Sequence, residues 1–339
     1  MKKILCAMSG GVDSAAAALL LKRDGYDVTG VTMLLSGNEK DAEDAASTCR
    51  AIGIEHITLD LRKEFEELVE RPFCESYLKG ETPNPCIICN KRIKLGKLLD
   101  YALEKGYDAI ATGHYARLDV IDGHTVLKRA TDVKKDQSYM LWQLSEDQLA
   151  HAVFPLAELT KEEIRAITAN AELPSFDRRD SQDICFVPDG DYVSFIKKLV
   201  GHEPLPGDFV DGDGKVLGKH SGNIRYTVGQ RKGLGISLGE PAYVLSRDPM
   251  ANTVTLGRDA ELYMSEITLC DINLSPILSL PCRAEVKIRY AHTAAPATVE
   301  QLDGDRLKVT FDEPQRAPAA GQSAVIYRDD LLVGGGFIQ

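Results

Sequence analysis

Lys3 to Met8 is a largely apolar run that stops at Ser9-Gly10-Gly11, and Ala15 to Lys22 follows as a stretch of strong helix formers closed by Gly25. A strand, a glycine turn and a helix in immediate succession make a βα unit, which needs a parallel neighbour to bury its apolar face. The pattern recurs. Asp27–Leu34 reads as a strand, Asp41–Ile52 as a helix ending at Gly53, His56–Leu61 as a strand, Lys63–Leu78 and Arg92–Lys105 as helices, and Ala109–Thr112 as a strand. Alternation of this kind predicts an α/β fold with a doubly wound parallel sheet.

From Ser138 to Ala171 the apolar spacing is helical, with a break at Pro155. After about Phe195 the texture changes to glycine, proline and short alternating runs: Ala242–Leu245, Thr253–Leu256, Glu285–Tyr290, Ala297–Leu302, Arg306–Phe311 and Ser323–Tyr327. These predict small antiparallel β domains of barrel type. A chain of 339 residues is long enough for two or three domains, and the texture divides it at 1–196, 197–261 and 262–339.

No run approaches the roughly 18 apolar residues needed to cross a bilayer, and the N-terminal apolar run is too short for a signal peptide. Eight cysteines dispersed over so long a chain do not form a dense disulfide framework. A cytoplasmic protein with reduced thiols and no membrane partner is expected. Forty basic against 51 acidic residues give a net charge of −11, which argues against gripping nucleic acid by bulk charge. Local basic clusters remain, one at Lys91, Arg92, Lys94 and Lys97, another at Lys128, Arg129, Lys134 and Lys135, and a third at Arg225, Arg231 and Lys232. Solvated helix and loop faces explain such clusters equally well.

Ser9-Gly10-Gly11-Val12-Asp13-Ser14 lies between the first strand and the first helix, where backbone N–H groups and the helix dipole favour an anion. No Lys follows the glycines, so this is not a Walker A loop, and dinucleotide Gly-x-Gly-x-x-Gly spacing is absent. The loop is similar to the pyrophosphatase-type loop of ATP-dependent adenylating enzymes. Met33 and Gly113 fall at the carboxyl ends of strands, where open α/β sheets bind ligands. Cys86-Ile87-Ile88-Cys89 opens a basic helix, a placement that lowers thiol pKa. Cys185 sits in the polar stretch Asp180–Phe186, whereas Cys6, Cys49, Cys74, Cys270 and Cys282 read as core or incidental residues. A structural zinc on the Cys-x-x-Cys would want four ligands, with His114 as the fourth.

Eight motifs then follow one another in a single order: Ser9–Ser14, the Thr82-Pro83-Asn84-Pro85 stretch ending at Asn90, Ala111–Tyr115, Lys135–Tyr139, Asp180–Phe186, Thr227–Gly235, Arg289-Tyr290 and Gly321–Ala324. In this the chain resembles the tRNA-specific 2-thiouridylases, over nearly its whole length. The resemblance implies a PP-loop (pyrophosphatase-type) ATPase fold, adenine-nucleotide alpha-hydrolase-like, followed by two small β domains, the last a β-barrel. It implies ATP-dependent replacement of the 2-oxygen of the wobble uridine of tRNA by sulfur, with ATP and Mg2+ adenylating that oxygen and AMP and pyrophosphate as products.

Laid on these positions, the resemblance assigns ATP contacts to Ala7, Met8, Ser9, Gly10, Gly11, Val12, Asp13, Ser14, Met33 and Gly113. Asn84, Pro85 and Cys86 cup the flipped target base. His114, Lys135, Asp136, Gln137, Arg289, Tyr290 and Gln322 touch tRNA. Cys89 is the nucleophile and Cys185 carries a persulfide, the two joining in a transient disulfide; the sulfur comes from a cysteine desulfurase or a persulfide carrier.

Many relatives carry an aspartate where this chain has Cys86, so its acid/base role does not transfer. The resulting set Cys86, Cys89 and Cys185 is of a type that can hold a [4Fe-4S] cluster with one open iron. Persulfide relay and cluster-bound sulfide are both compatible with the sequence. The competing functions are another adenylating enzyme with the same loop, either a different tRNA thiolase or an amide-forming ligase, and a non-catalytic RNA-binding module. The ligases leave Cys89 and Cys185 without a task, and the RNA-binding module leaves Ser9–Ser14 unexplained.

Overall fold

A computed structural model describes residues 1–37, 39–174, 184–236 and 239–339. The N-terminal part alternates β1 (Lys3–Ala7), α1 (Val12–Arg23), β2 (Asp27–Leu34), α2 (Glu39–Ile52) and β3 (Glu55–Asp60). Next, α3 (Arg62–Phe65) runs through a π-helical segment, Glu66–Glu70, into α4 (Arg71–Leu78), and α5 (Pro85–Cys89) runs through another, Asn90–Lys97, into α6 (Leu98–Glu104). After β4 (Ala109–Ala111) come the hairpin strands β5 (Arg117–Ile121) and β6 (His124–Lys128), then α7 (Glu146–Ala150), β7 (Ala152–Val153), α8 (Lys161–Asn170) and α9 (Tyr192–Val200).

Among the described residues β3-β2-β1-β4-β7 form one five-stranded sheet with parallel pairings throughout. Strand β1 alternates sides as its pleat requires: Ile4 and Cys6 face the α1 layer, while Leu5 faces the opposite layer. Ala15, Ala16, Ala17 and Ala18 are fully buried, and their small side chains let α1 lie close on the sheet. On the other face, Leu95, Leu98, Leu99 and Ala102 cover Leu5, Val31 and Ile110. That core continues into Val325, Tyr327 and Leu332 of the C-terminal unit.

The helical reading of 138–171 needs correction at Ala152–Val153, which pair with Ile110 and Ala111 as the edge strand β7. The capping box at Ser145 starts α7, His151 ends it, and the chain is extended again before Pro155. Positions 180–183 of the Asp180–Phe186 motif lie outside the described residues, whereas Ile184, Cys185 and Phe186 are described.

Strands β8 (Gly207–Val210), β9 (Val216–His220), β10 (Tyr243–Asp248) and β11 (Thr253–Gly257) form a separate sheet in the order β10-β11-β8-β9. It is mixed rather than purely antiparallel, because β11 and β8 run parallel, with Thr253 opposite Asp208. Strands β12 (Tyr263–Leu274), β13 (Cys282–Lys287), β14 (Ala295–Asp303), β15 (Arg306–Arg316), β16 (Ser323–Arg328) and β17 (Leu331–Ile338) follow. They close into an antiparallel barrel through the β12–β17 pairing. Hairpin β5–β6 adds to this barrel, Leu127 pairing with Leu332, so a segment of the N-terminal part is built into the C-terminal sheet. Tyr139 Oη donates to the Ser323 carbonyl at 2.8 Å and Trp142 Nε1 to Ser323 Oγ at 2.9 Å, both buried. These bonds fix the barrel against the segment 138–142, whose Met140 carbonyl in turn accepts from Asn90, next to Cys89.

Candidate active site

The strand order reverses between β1 and β4, and the crevice at their carboxyl ends is where such sheets bind ligands. Ser9–Ser14 leaves β1 there. Gly10 adopts φ +73°, a conformation that favours glycine, and Gly11 stands at the N-cap of α1 with no side chain capping the helix. Ser14 Oγ donates to the Gly11 carbonyl at 3.0 Å and accepts from the Ser9 amide at 3.2 Å, so the two serines set the shape of the loop.

Gly113, just past β4, closes the crevice from the other side. A Cβ at that position would stand 2.9 Å from the backbone carbon of Asp13 and 3.0 Å from the Ser14 amide nitrogen. Asp13 Oδ1 accepts from Tyr115 Oη and from Lys161 Nζ, each at 2.7 Å. Neither residue was assigned this contact from sequence. Lys161 belongs to α8, 148 residues downstream, and its local signal was only the capping box of Thr160 and Glu163. Of the other ATP candidates, Ala7 and Met33 are half-buried, and Met8 is buried with its amide bonded to the Val31 carbonyl at 2.8 Å. Met33 ends up near the cysteine site as well as the sheet, since it packs against the cores on both sides.

Asn84 caps α5, its Oδ1 accepting from the Cys86 amide at 3.1 Å, and Pro85 occupies the first helical turn. Cys86 is thereby turned outward and Cys89, one turn later, inward; Cys86 is exposed and Cys89 buried. Cys185 is exposed in a different segment, yet its thiol feels Cys86, and Cys89 feels both Cys185 and Cys86. The three thiols therefore lie near one another, Cys89 within the same apolar cluster as Phe186, the neighbour of Cys185, with Cys86 and Cys185 exposed above it.

That packing overturns the expectation of lowered thiol pKa. Burial pushes Cys89 up to about 12 and raises Cys86 and Cys185, against a smaller opposing pull from Lys94. Lys94, grouped in the sequence with a solvated basic face, is half-buried here and is the cation felt by all three thiols and by His114. His114 accepts or donates at Nδ1 to Thr112 Oγ1 at 2.8 Å, and burial followed by Lys94 drives its pKa well below the usual value. It is neutral at pH 7.

The tRNA candidates fall into two groups. Asp136 is buried, with its carboxylate taken by the amides of Ala130 and Ser138 and by Ser138 Oγ. Gln137 exchanges two hydrogen bonds with the backbone of Tyr115, at 3.1 and 2.8 Å. The loop bearing Lys135 is thus tied through Tyr115 to Asp13. Tyr290 Oη donates to the Asp136 carbonyl at 3.3 Å, Arg289 donates to the Arg316 carbonyl at 3.0 Å, and Lys287 Nζ lies 5.3 Å from the Tyr290 ring centre. Gln322 stands apart, donating to the Thr82 carbonyl at 2.5 Å beside the cysteine helix.

Three family models match along the chain: tRNA methyl transferase HUP domain over residues 2–189, tRNA methyl transferase PRC-barrel domain over 193–258, and aminomethyltransferase beta-barrel domain over 259–338. The tRNA-specific 2-thiouridylase MnmA 1 of Clostridium tetani is 44% identical, with 100% of this chain and 97% of that protein covered. The chain belongs to the tRNA-specific 2-thiouridylase family. The thiouridylases of Clostridium acetobutylicum and Carboxydothermus hydrogenoformans are each 44% identical, covering 100% of this chain and 99% and 98% of theirs.

For a thiouridylase the cradle around Asp13 and Gly113 fits a nucleotide phosphate, and it lies within the HUP-domain match over residues 2–189. An iron–sulfur cluster fits less well. Among the described residues no three His, Cys, Asp or Glu side chains stand close enough to hold a metal ion. Among the described residues His114 is not grouped with the Cys-x-x-Cys as a metal-binding set. Among the described residues no helix is long and apolar enough to cross a membrane.

Proposed function

We propose that this thiouridylase adenylates the 2-oxygen of the wobble uridine and replaces it with sulfur carried on Cys185. The observation that carries the reading is the meeting of Cys89 and Cys185, from separate segments, in one site beside Asn84 and Pro85. Ser9–Ser14, with Ala7, Met8, Met33 and Gly113 around it, holds ATP with Mg2+, and pyrophosphate leaves as AMP joins the base oxygen. The outer sulfur of a Cys185 persulfide attacks C2, and AMP departs with the oxygen. Cys89 as thiolate then attacks Cys185 Sγ, which breaks the sulfur–sulfur bond, leaves 2-thiouridine and forms the Cys89–Cys185 disulfide. A thiol donor supplies two electrons to restore both cysteines.

Asn84, Pro85 and Cys86 receive the flipped uracil, and the first sulfur comes from a cysteine desulfurase or persulfide carrier. His114, Lys135, Arg289, Tyr290 and Gln322 face the tRNA, with Asp136 and Gln137 shaping the loop that presents Lys135. The units 1–196, 197–261 and 262–339 act as adenylation domain, adaptor and anticodon-stem grip of a cytoplasmic sulfurtransferase. Cys89→Ser and Cys185→Ser test the relay. Each is expected to abolish 2-thiouridine while AMP formation with tRNA continues; thiolation at the wild-type rate in either variant contradicts the relay.

A further inference from the structure

The phosphate loop brings an acid to its own anion site and no base. Asp13 lies in the first turn of α1, where a second negative charge opposes an incoming polyphosphate. The fold supplies the missing cation from elsewhere, since Lys161 Nζ reaches Asp13 Oδ1 at 2.7 Å with only 8% of its side chain exposed. This is an expensive place for a lysine. It is the first residue of α8, next to the positive end of the helix dipole, and burial strips its ammonium of water. Tyr115 Oη donates to the same oxygen, and Oδ2 takes no hydrogen bond among the described residues.

We propose that Lys161 is a positioning residue for adenylation: with Tyr115 it holds Asp13 by Oδ1, cancels its charge toward the nucleotide and leaves Oδ2 directed to the ligand. A lysine that merely stapled α8 to α1 would have no need of the one carboxylate in the phosphate loop. Because the inference rests on the adenylation reading above, its test must separate the two.

The test measures AMP and pyrophosphate formation from MgATP and tRNA, with kcat and KM for ATP, in the wild type, Lys161→Met, Asp13→Asn and the double variant. Thermal midpoints are taken for each. Lys161→Met is expected to lower kcat about 100-fold, the cost of a misplaced group at a reacting centre, with its midpoint near that of the wild type. In the Asp13→Asn background the same change is expected to matter by no more than about threefold, because coupled residues do not add. Wild-type kcat in Lys161→Met, or a full loss repeated in the Asp13→Asn background, overturns the role of Lys161 alone. A wild-type chain that forms no AMP overturns the adenylation reading and this one with it. Lys161→Arg and Tyr115→Phe keep the question open to refutation should the methionine variant fail to fold: both are expected to lose AMP formation in part, and wild-type kcat in both also overturns the proposal.

Discussion

Gln322, on the loop between two barrel strands, donates from Nε2 to the backbone carbonyl of Thr82 at 2.5 Å, across 240 residues of sequence. The same stretch is held from other directions: the Thr82 amide donates to the Ala320 carbonyl at 2.8 Å, and Arg247 of the central sheet donates to the Glu81 carbonyl at 2.7 Å. Asn84 and the cysteine helix begin two residues later, so three parts of the chain set the entry angle of Cys86 and Cys89.

Gln322→Ala removes one partly buried bond of this anchor, worth about 1 kcal/mol. Thiolation is expected to slow by about fivefold, with ATP affinity unchanged. Isothermal titration with ATP and a thiolation time course check both halves, and weaker ATP binding would contradict the anchoring role.

Gly113→Ala places a methyl group against the backbone of Asp13 and Ser14, which cannot move aside as a flexible side-chain tip could. A destabilisation of about 1–3 kcal/mol is expected, together with loss of AMP formation. Gly212→Ala, in open space, serves as the comparison and is expected to change neither. Urea titration and pyrophosphate release report the two effects.

The Cys89 thiol, pushed up to about 12, is almost wholly protonated at neutral pH in the resting protein. Alkylation reads thiolate, so iodoacetamide is expected to label Cys89 at pH 7.5 at least about 100-fold more slowly than an unburied thiol, with the rate climbing as pH rises. Lys94→Met removes the cation that opposes burial and is expected to slow labelling further. Peptide mass spectrometry resolves the site; rapid labelling at neutral pH would contradict the buried thiol.

His56, His114, His220 and His292 all have pKa values lowered chiefly by burial. As pH falls through about 6.5 the unfolded chain takes up protons that the folded chain refuses, so ν of the unfolded state exceeds ν of the native state and stability falls with pH. The thermal midpoint is expected to drop between pH 7.5 and 5.5. A midpoint that rises over this interval contradicts the burial of these rings.

The parallel sheet was legible because β1, β2 and α1 each obey local chemistry: apolar strands buried on both faces, a glycine turn, then strong helix formers. Hairpin β5–β6 turns on Asp122-Gly123, a strong turn signal between alternating residues, and both adopt positive φ, +52° and +84°. Strand β7, only two residues long, has no periodicity to read. At the site, the motif order pointed to the cysteines and the phosphate loop. Sequence could not show that burial would outweigh Lys94 at Cys89, nor that Lys161 would cross to Asp13, because both depend on how distant segments pack.

The central claim is sulfur transfer to the wobble uridine, and the most direct measurement is nucleoside mass spectrometry of an unmodified tRNA incubated with the wild-type chain, MgATP and a persulfide donor. 2-Thiouridine is expected at the wobble position alone, formed with AMP and pyrophosphate and only when ATP is present. Thiolation without ATP, sulfur at another nucleoside, or AMP formation with no sulfur incorporated would contradict that claim.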